Sequence, residues 1–481
     1  MREDIRAGGE AARRLAEGVA LRDVLDAADP GAWLALDVGT RAWVAHRMLP
    51  TRAEVEGRRG WFSALRRPDA LAEPRLALAL CHGDGRVREA ALGPAARCPA
   101  LLPLVVVRAA DWVAPVRDRA REVLRAVLDP DAALTLAPLI LLVGRRGRGD
   151  FGIDLLDEVL RRAPSERLAL LFTHPDRAVR RFAHRLAVAE GHLSPTELAR
   201  AAARDADPVV QDLCAEAALA AVPENGRENR VDEDVLEALL GARGPRVRSA
   251  GVTALRRAGQ PGLAEGFLAD RSGLVRACAR YVVRQSGGDP LVWYRRRCAE
   301  PGDPALPPGA VAGLAECGER TDAESLSALL GHPAPGVRAR AVAGLRALDV
   351  TDVPRLRALL DDPAPGVVRE ATVTLVASTR SLDDAWLMGR LAVGRPRHVR
   401  VAAFRLLDAR GGLVRLRAAV GLLDDPDVRL RHWAAQSVQG WHATADVPPG
   451  SVEVGELLDR GRHLFSAYVL KRRKWEAGVE G

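Results

Sequence analysis

Two stretches of the sequence combine aromatic with basic side chains, a combination that recognises anionic partners. Aromatic rings stack on bases or anchor peptides, and guanidinium or ammonium groups pair with phosphate or carboxylate. The candidate partner-binding residues are Trp293, Tyr294, Arg295, Arg296 and Arg297 in one stretch and Trp433, Trp441, Lys471, Arg472, Arg473, Lys474 and Trp475 in the other. The competing interpretation is structural: the rings pack inside the fold and the cations are solvated.

Residue sets that would support catalysis or metal binding do not occur in the sequence. The six cysteines contain no CxxC pair, and there is no P-loop, nucleophile elbow or dinucleotide fingerprint. We therefore expect no catalytic residue, no metal and no cofactor. The scattered cysteines, and a start that shows no basic-then-apolar leader, predict a reducing, cytoplasmic location.

The net charge of +8 is a weak indicator of partner class. Of the 71 basic residues only Lys471 and Lys474 are lysine, a bias typical of a GC-rich bacterial genome. Charges of both signs run along the whole chain, so an ordinary solvated surface is the simpler explanation. The longest apolar run, around residues 132–143, contains Pro138 and falls short of the roughly 20 residues that span a bilayer. No membrane partner is expected.

The organising pattern is a phrase, V-R-x-x-A, that recurs at intervals of roughly 31 residues or twice that length. Its first position falls at Val87, Val116, Val179, Val210, Val247, Val275, Val337, Val368, Val399 and Leu430. Two degenerate copies are expected in the long gaps. One places Leu306 in the first position, because the string AVAGL occurs at 310–314 and again at 341–345, and the other lies near residue 147. A polar insert at 223–229 predicts a surface loop.

Each copy predicts a helix, since apolar residues follow the phrase at helical spacing and its fifth position is small, where a neighbouring helix must approach closely. A second amphipathic stretch lies ahead of each copy. Such stretches begin with caps, for example the capping boxes at 194–197 and 321–324, and end at Gly or Asp-Pro. Each unit is therefore a helix, a tight turn and a helix.

These features resemble the HEAT repeat family, in the short variety related to phycobilisome-lyase-type repeats. The resemblance covers roughly residues 75–440 and rests on Leu-Leu, then Asp-Pro, then V-R-x-x-A-x-x-x-L. It implies an all-α fold, an α-α superhelix of about 12 helical hairpins. The expected domains are an atypical helical cap at 1–75, the repeat array at 76–443, and a C-terminal helical cap with a basic tail at 444–481.

The resemblance also implies a structural role for the arginine of the phrase, which in HEAT-like repeats pairs with a turn Asp or with carbonyls of a neighbouring hairpin. The expected ladder consists of Arg88, Arg117, Arg180, Arg248, Arg276, Arg338, Arg369, Arg400 and Arg431. Asp stands five residues before the phrase at Asp111, Asp205, Asp270 and Asp425. His82, His174 and His332 occupy the same turn slot, so they are predicted turn residues rather than metal ligands.

The leading functional prediction is a non-enzymatic scaffold or adaptor that binds protein partners, since a solenoid offers a large contact surface without a catalytic residue set. Two alternatives stay open. One is nucleic-acid binding, since some HEAT-like proteins are DNA glycosylases, although only Asp111 and Trp112 suggest such a site. The other is a bilin lyase-like chromophore handler. Predicted concave positions such as Glu89, Arg185 and Arg405 mix both charges, which disfavours a phosphate-tracking groove.

Overall fold

The computed structural model describes residues 2–43, 46–56, 72–220 and 233–479, and these form helices joined by turns, with no strand. The predicted all-α class is confirmed. Residues 57–71 of the predicted N-terminal cap and the predicted loop at 223–229 lie outside the described residues. The chain divides into two compact units, unit 1 up to residue 247 and unit 2 from residue 248.

Unit 1 is built from helical hairpins that follow three N-terminal helices and one short helix. Its helices are α1 (Arg2–Ala16), α2 (Leu21–Val24), α3 (Pro30–Trp43), α4 (Arg52–Val55), α5 (Glu73–Leu80), α6 (Gly85–Ala95), α7 (Leu102–Arg108), α8 (Ala114–Val127), α9 (Pro130–Val143), α10 (Asp150–Arg162), α11 (Ser165–Ala169), α12 (Arg177–Ala189), α13 (Pro195–Arg204), α14 (Pro208–Ala220) and α15 (Glu233–Leu240).

Unit 2 continues the same alternation, and the boundary between the units falls inside α16 (Pro245–Arg257). Its further helices are α17 (Gly273–Gln285), α18 (Pro290–Arg297), α19 (Pro308–Cys317), α20 (Ala323–Ala328), α21 (Pro335–Ala347), α22 (Val353–Ala358), α23 (Pro365–Leu375), α24 (Asp384–Gly389), α25 (Arg397–Arg410), α26 (Gly412–Gly421), α27 (Val428–Gln439), α28 (Val452–Arg460) and α29 (Ala467–Glu476).

Caps and prolines set where the helices begin. Ser194 and Glu197 form a reciprocal capping box at the start of α13, and Asp427 accepts hydrogen bonds from two N–H groups at the start of α27. Pro335 and Pro365 open α21 and α23, where their missing N–H groups leave no helical bond unmade. Short 3-10 segments such as 329–331 and 359–361 end the preceding helices and lead into the turns.

The second helix of each hairpin carries the phrase, and these second helices pack side by side. In unit 2, α21 lies between α19 and α23, and α23 in turn contacts α25. The small fifth position makes this possible: Ala341 and Ala371 are fully buried. Close approach also occurs between α19 and the turn before α17, where a Cβ on Gly309 would lie 1.9 Å from the carbonyl oxygen of Ala269.

One part of the predicted register is wrong by a single residue. The string V-R at 368–369 predicts Val368 as the first position of this copy and Thr372 as its small fifth position. In the structure the first position is Val367, which is fully buried, and the small position is Ala371. Val368 therefore occupies the arginine slot. Arg369, placed in the ladder by the sequence, lies one residue later on an exposed face, with 69% of its side chain accessible.

The two degenerate copies are present as helices α19 and α10. In α19 Leu306 precedes the helix and is buried, and Ala310 is buried like its counterpart Ala341. In α10 Gly152 is buried, and a Cβ on it would meet Cγ2 of Ile140 at 3.3 Å. Across the described ranges no helix is both long and apolar enough to cross a bilayer.

Replacing Ala341 by leucine should destabilise unit 2 by about 1–3 kcal/mol, because the added carbons have no space between α21 and its neighbours. Urea unfolding of the purified chain measures the change. Ala347→Leu, at an exposed position of the same helix, is the matched control and should shift the unfolding free energy by less than about 0.5 kcal/mol. Equal effects of the two changes would contradict the close packing at position 341.

Candidate partner-binding surfaces

Five arginines of the second helices each bind the carboxylate of the turn in the following hairpin. Four of them use two nitrogen atoms, and Arg400 uses one. Arg88 donates from Nε and Nη2 to the two oxygens of Asp111, both at 2.9 Å, and Arg338 does the same to Asp362 at 2.8 Å. The other pairs are Arg180 with Asp205, Arg248 with Asp270 and Arg400 with Asp425. Such forked contacts fix geometry as well as charge.

The same guanidinium groups also hold their own turn. Nη1 of Arg338 donates to the carbonyl oxygen of His332 at 2.8 Å, and Nη1 of Arg88 donates to that of His82 at the same distance. Each arginine thus satisfies backbone oxygen atoms of one hairpin and a carboxylate of the next. Arg88 and the Asp111 side chain have no accessible surface, so this contact is fully buried.

The turn histidines take over one half of the aspartate's role. In the Asp turns Oδ1 accepts the N–H two residues later, at 2.9 Å for Asp111. In the His turns Nδ1 accepts the equivalent N–H, at 3.0 Å for His332 and for His174. Histidine occurs where the preceding copy supplies no arginine, as with Pro307 ahead of His332. Over the described ranges no group of three or more His, Cys, Asp or Glu side chains is placed to hold a metal ion.

Four of the nine predicted ladder arginines lack a turn aspartate. Arg369 contacts only the neighbouring Glu370, because Val368 holds the ladder slot. Arg276 donates to Glu316 of α19 in place of a turn residue. Arg117 and Arg431 donate to turn carbonyl oxygens, those of Asp111 and Asp425, and bind no carboxylate of a following turn among the described residues.

The first predicted aromatic and basic patch is largely consumed by the fold. Tyr294 is fully buried, and its hydroxyl group donates to the carbonyl oxygen of Leu268 at 2.8 Å. Its ring is therefore not accessible to a partner. Arg295 is bound to Asp322 at 2.7 Å, and Arg297 to Asp303. Only Arg296 is both exposed and without a described partner, and Trp293 is half-buried against Tyr294. The prediction that Tyr294 contacts a partner is wrong.

The second patch separates into buried, half-buried and exposed parts. Trp441 is 1% exposed and donates Nε1–H to the carbonyl oxygen of Gly412 at 2.8 Å, so its predicted contact with a partner is wrong. Trp433 is half-buried on α27. On α29, Lys471 and Trp475 are exposed.

The remaining cations of α29 form ion pairs with acidic neighbours. Arg472 and Arg473 both contact Glu476, at 2.8 and 3.1 Å, and Lys474 contacts Asp459 at 2.8 Å. The run at 471–474 is therefore not a free cluster of four positive charges. Lys471 alone among them has no described ion pair.

Two neighbouring clefts on unit 2 bring together residues that the sequence did not connect. The cleft between α23 and α25 has a volume of about 170 Å³, and the cleft between α25 and α27 about 380 Å³. The first is lined by Pro365, Val368, Arg369, Thr372, Arg397, His398, Val401, Ala402 and Arg405, and the second by Phe404, Arg405, Asp408, Arg415, Trp433, Gln436 and Ser437. Arg405 lines both clefts, which we name the Arg405 clefts.

Arg405 is exposed, and among the described residues it has no ion pair or hydrogen bond. Its guanidinium carbon lies 5.9 Å from the ring centre of Trp433, at the outer limit of a cation–π contact. The other cations of the clefts are engaged: Arg397 with Asp427, and Arg415 with Asp408 and Ser437. Arg405 is thus the cation of these clefts that is free to meet an external anion.

Charge on the second helices differs between the units. In unit 2, helices α17, α19, α21, α23, α25 and α27 contain 13 arginines and only three acidic residues, Glu316, Glu370 and Asp408. In unit 1, helices α6, α8, α10, α12 and α14 contain 12 arginines and nine acidic residues. Arginine therefore dominates the charged residues on the second helices of unit 2, whereas both signs are common on those of unit 1.

Comparison with known proteins gives weak similarity to solved helical solenoids. No family model and no curated protein matches the chain. A crystal structure of Kap121p aligns with 13% identity and a TM-score of 0.28 over 90% of this chain and 53% of that one, so the chain spans about half its length. The crystal structure of Kap121p bound to Nup53p aligns with 12% identity and a TM-score of 0.24, over 85% of this chain and 47% of that one. A structure from a study of tubulin recruitment by TOG domain arrays aligns with 11% identity and a TM-score of 0.24, over 75% of this chain and 98% of that one. Similarity at this level carries no functional argument.

Replacing Asp362 by alanine should lower the unfolding free energy of unit 2 by about 2–4 kcal/mol, because it leaves the nearly buried guanidinium of Arg338 without its counter-charge. Denaturant unfolding measures this loss. Arg369→Ala is the control and should change stability by no more than about 0.5 kcal/mol, since that side chain is exposed. A large loss with Arg369→Ala would restore it to the ladder.

The Arg248–Asp270 pair should make folding stability fall in acid. Burial raises the pKa of Asp270, but hydrogen bonds from Arg248 and from the N–H of Ser272 outweigh it, and the pKa lies below its ordinary value. Since the folded-state pKa is the lower one, the contribution is complete above the unfolded-state pKa of about 4 and is lost as the pH falls through the folded-state value. Asp270→Asn should therefore be less stable at pH 7 and lose less stability between pH 5 and pH 2. Parallel acid profiles for the two proteins would contradict the assignment.

Proposed function

We propose that this chain is a protein-binding scaffold whose Arg405 clefts hold an acidic segment of a partner protein. The observation that supports the proposal is the unpaired, exposed Arg405 placed between two clefts and beside Trp433. Arginine and tryptophan are the residues in which binding energy concentrates at protein interfaces, and pockets next to them supply the desolvated surroundings. An aspartate or glutamate side chain is the complementary group.

The walls of the clefts favour a peptide over a nucleic-acid backbone. Half-buried Val401 contributes apolar surface to the first cleft, and the buried side chains of Ala402 and Phe404 lie beneath the clefts; apolar surface suits side chains of a folded or extended partner. Asp408 lines the second cleft. Arg369, which lines the first cleft, forms an ion pair with Glu370. A phosphate backbone gains affinity from many uncompensated cations, and here most cations already have a carboxylate.

The pair that suggested base excision does not offer an open site. The Asp111 side chain has no accessible surface, and both Arg88 and Arg108 are bound to it, Arg108 through Nη1 at 2.8 Å. Trp112 is exposed, with the Arg88 guanidinium carbon 4.4 Å from its ring centre. Asp111 therefore functions as the centre of a buried ion network rather than as an acid or base that reaches substrate.

The experiment is affinity purification of the tagged full-length chain from its own host, with and without nuclease. The expected result is a protein that co-purifies in stoichiometric amount after nuclease treatment and whose recovery falls at least about tenfold with Arg405→Glu, since a favourable charge contact becomes repulsive. Arg185→Glu is the matched control, because Arg185 stands at the same repeat position of α12, is exposed, and has no described partner.

Equal loss of the partner with Arg185→Glu would show that general charge, not the Arg405 clefts, drives the association. Recovery of nucleic acid alone, abolished by nuclease, would overturn the scaffold function in favour of nucleic-acid binding. Retention of the partner by both variants would place the binding surface elsewhere on the chain. Thermal unfolding of each variant separates loss of binding from loss of folding.

A further inference from the structure

The arginine ladder of unit 1 has one position where the cation is present and its turn carboxylate is not. Arg117 stands in the slot of Arg88 and Arg180, and its Nη1 donates to the carbonyl oxygen of Asp111 at 3.0 Å, as ladder arginines do. No aspartate lies in the turn between α9 and α10, residues 144–149. That turn carries Arg145, Arg146 and Arg148 instead, and Asp150 is the first residue of α10.

Among the described residues, no other group accepts a hydrogen bond from the remaining guanidinium nitrogens of Arg117. The nearest described carboxylate is that of Asp118, whose Oδ1 lies 3.7 Å from Nε, too far for a hydrogen bond. Asp118 is itself 65% exposed, whereas the Arg117 side chain is only 19% exposed. A carboxylate that approached as Asp111 approaches Arg88 would meet a donor pair already held in place.

A cleft of about 480 Å³ opens at this position, lined by Arg117, Arg121, Arg148, Asp150, Phe151 and Asp154 together with Gly147. Arg121 donates to the carbonyl oxygens of Ala109 and Arg148 at 3.1 and 3.2 Å, and its guanidinium carbon lies 4.9 Å from the ring centre of Phe151. These contacts fix the cation along one wall. The Arg148 side chain is exposed and has no described partner.

We infer that this cleft binds a single carboxylate from an aspartate or glutamate of a partner protein, in the place where the other repeats hold their own turn aspartate. The inference rests on the proposed function in that the carboxylate belongs to a protein partner. The three arginines and two aspartates of the lining leave a net charge of +1. That balance suits one carboxylate and disfavours a phosphate dianion or a run of phosphates.

A natural copy of the repeat indicates which substitution removes the carboxylate-binding nitrogens but keeps the hydrogen bond to the turn carbonyl oxygen. Gln211 occupies the arginine slot of α14, and its Nε2 donates to the carbonyl oxygen of Asp205 at 2.7 Å. Arg117→Gln should therefore keep the bond to the carbonyl oxygen of Asp111 and lose only the nitrogens that face the cleft. Arg145→Ala is the control, because Arg145 is exposed in the same loop and does not line the cleft.

The test is titration of the full-length chain with a fluorescein-labelled nonapeptide that carries one central glutamate among alanine and leucine, beside its glutamine and phosphoserine analogues. Anisotropy should show saturable binding of the glutamate peptide and at least about tenfold weaker binding of the glutamine analogue, the effect expected for one charged hydrogen-bonded contact. Arg117→Gln and Arg148→Ala should each weaken the glutamate peptide by about the same factor, with Arg145→Ala unchanged.

Indistinguishable titrations of the glutamate and glutamine peptides up to millimolar concentration, or full affinity in Arg117→Gln, would overturn the inference. Tighter binding of the phosphoserine peptide than of the glutamate peptide would overturn the carboxylate assignment. Arg405→Glu separates the two sites: if it abolishes peptide binding while Arg117→Gln does not, this inference fails and the proposed function stands. If Arg117→Gln abolishes peptide binding but the host partner is retained by Arg405→Glu, the proposed site fails and this one stands.

Discussion

The fork between a second-helix arginine and the carboxylate of the next turn is the constraint on which the repeat geometry depends. One planar group satisfies carbonyl oxygens of its own turn and two oxygens of the following one, so the distance and the angle between hairpins are fixed together. Because Arg88 and Asp111 are fully buried, neither can be lost alone without leaving an isolated charge in the interior. At this buried pair, the arginine and the aspartate therefore depend on each other.

Three of the copies that depart from the rule show how an isolated charge is avoided. Gln211 replaces the arginine in one copy, and Ala242 replaces the aspartate of the following turn. Val368 and Gly394 do the same in another copy, so the guanidinium and the carboxylate are absent together. Arg276 keeps its cation and takes Glu316 from a helix in place of a turn residue. Histidine appears in turns for which the preceding copy has no arginine in its ladder position, since an imidazole nitrogen accepts the turn N–H but offers no second oxygen for a fork.

Much of this was predictable from the sequence, and the failures have identifiable physical causes. The period, the small fifth position and the capping boxes are local patterns that reflect helix geometry, and they gave the fold class. The register slipped at Val367 because two adjacent valines fit an apolar slot equally well; alignment of the turns HPAPGV and DPAPGV would have separated them. The Arg405 clefts were not predictable, since α23, α25 and α27 come together only through packing.

Burial of the aromatics was likewise a property of distant residues. Tyr294 sits inside unit 2 because Gly313, on α19, has no side chain: a Cβ there would lie 2.2 Å from the tyrosine ring. Trp441 is buried and its indole N–H donates to the carbonyl oxygen of Gly412 at 2.8 Å. Neither glycine is near its aromatic partner in the chain, so an aromatic beside a run of arginines looked like a surface patch.

The ladder also explains why an arginine-rich chain need not be a nucleic-acid-binding one. Most of the cations on the second helices of unit 2 neutralise a carboxylate or bind carbonyl oxygens, so a count of charges overstates the field that a partner meets. In the two proposed sites, recognition depends on cations that the fold leaves unpaired, Arg405 and Arg117. A repeat that keeps its arginine and loses its acid turns a structural contact into an available one, with the donor geometry already set by the neighbouring repeats, and the ordering of that side chain is complete before any partner arrives.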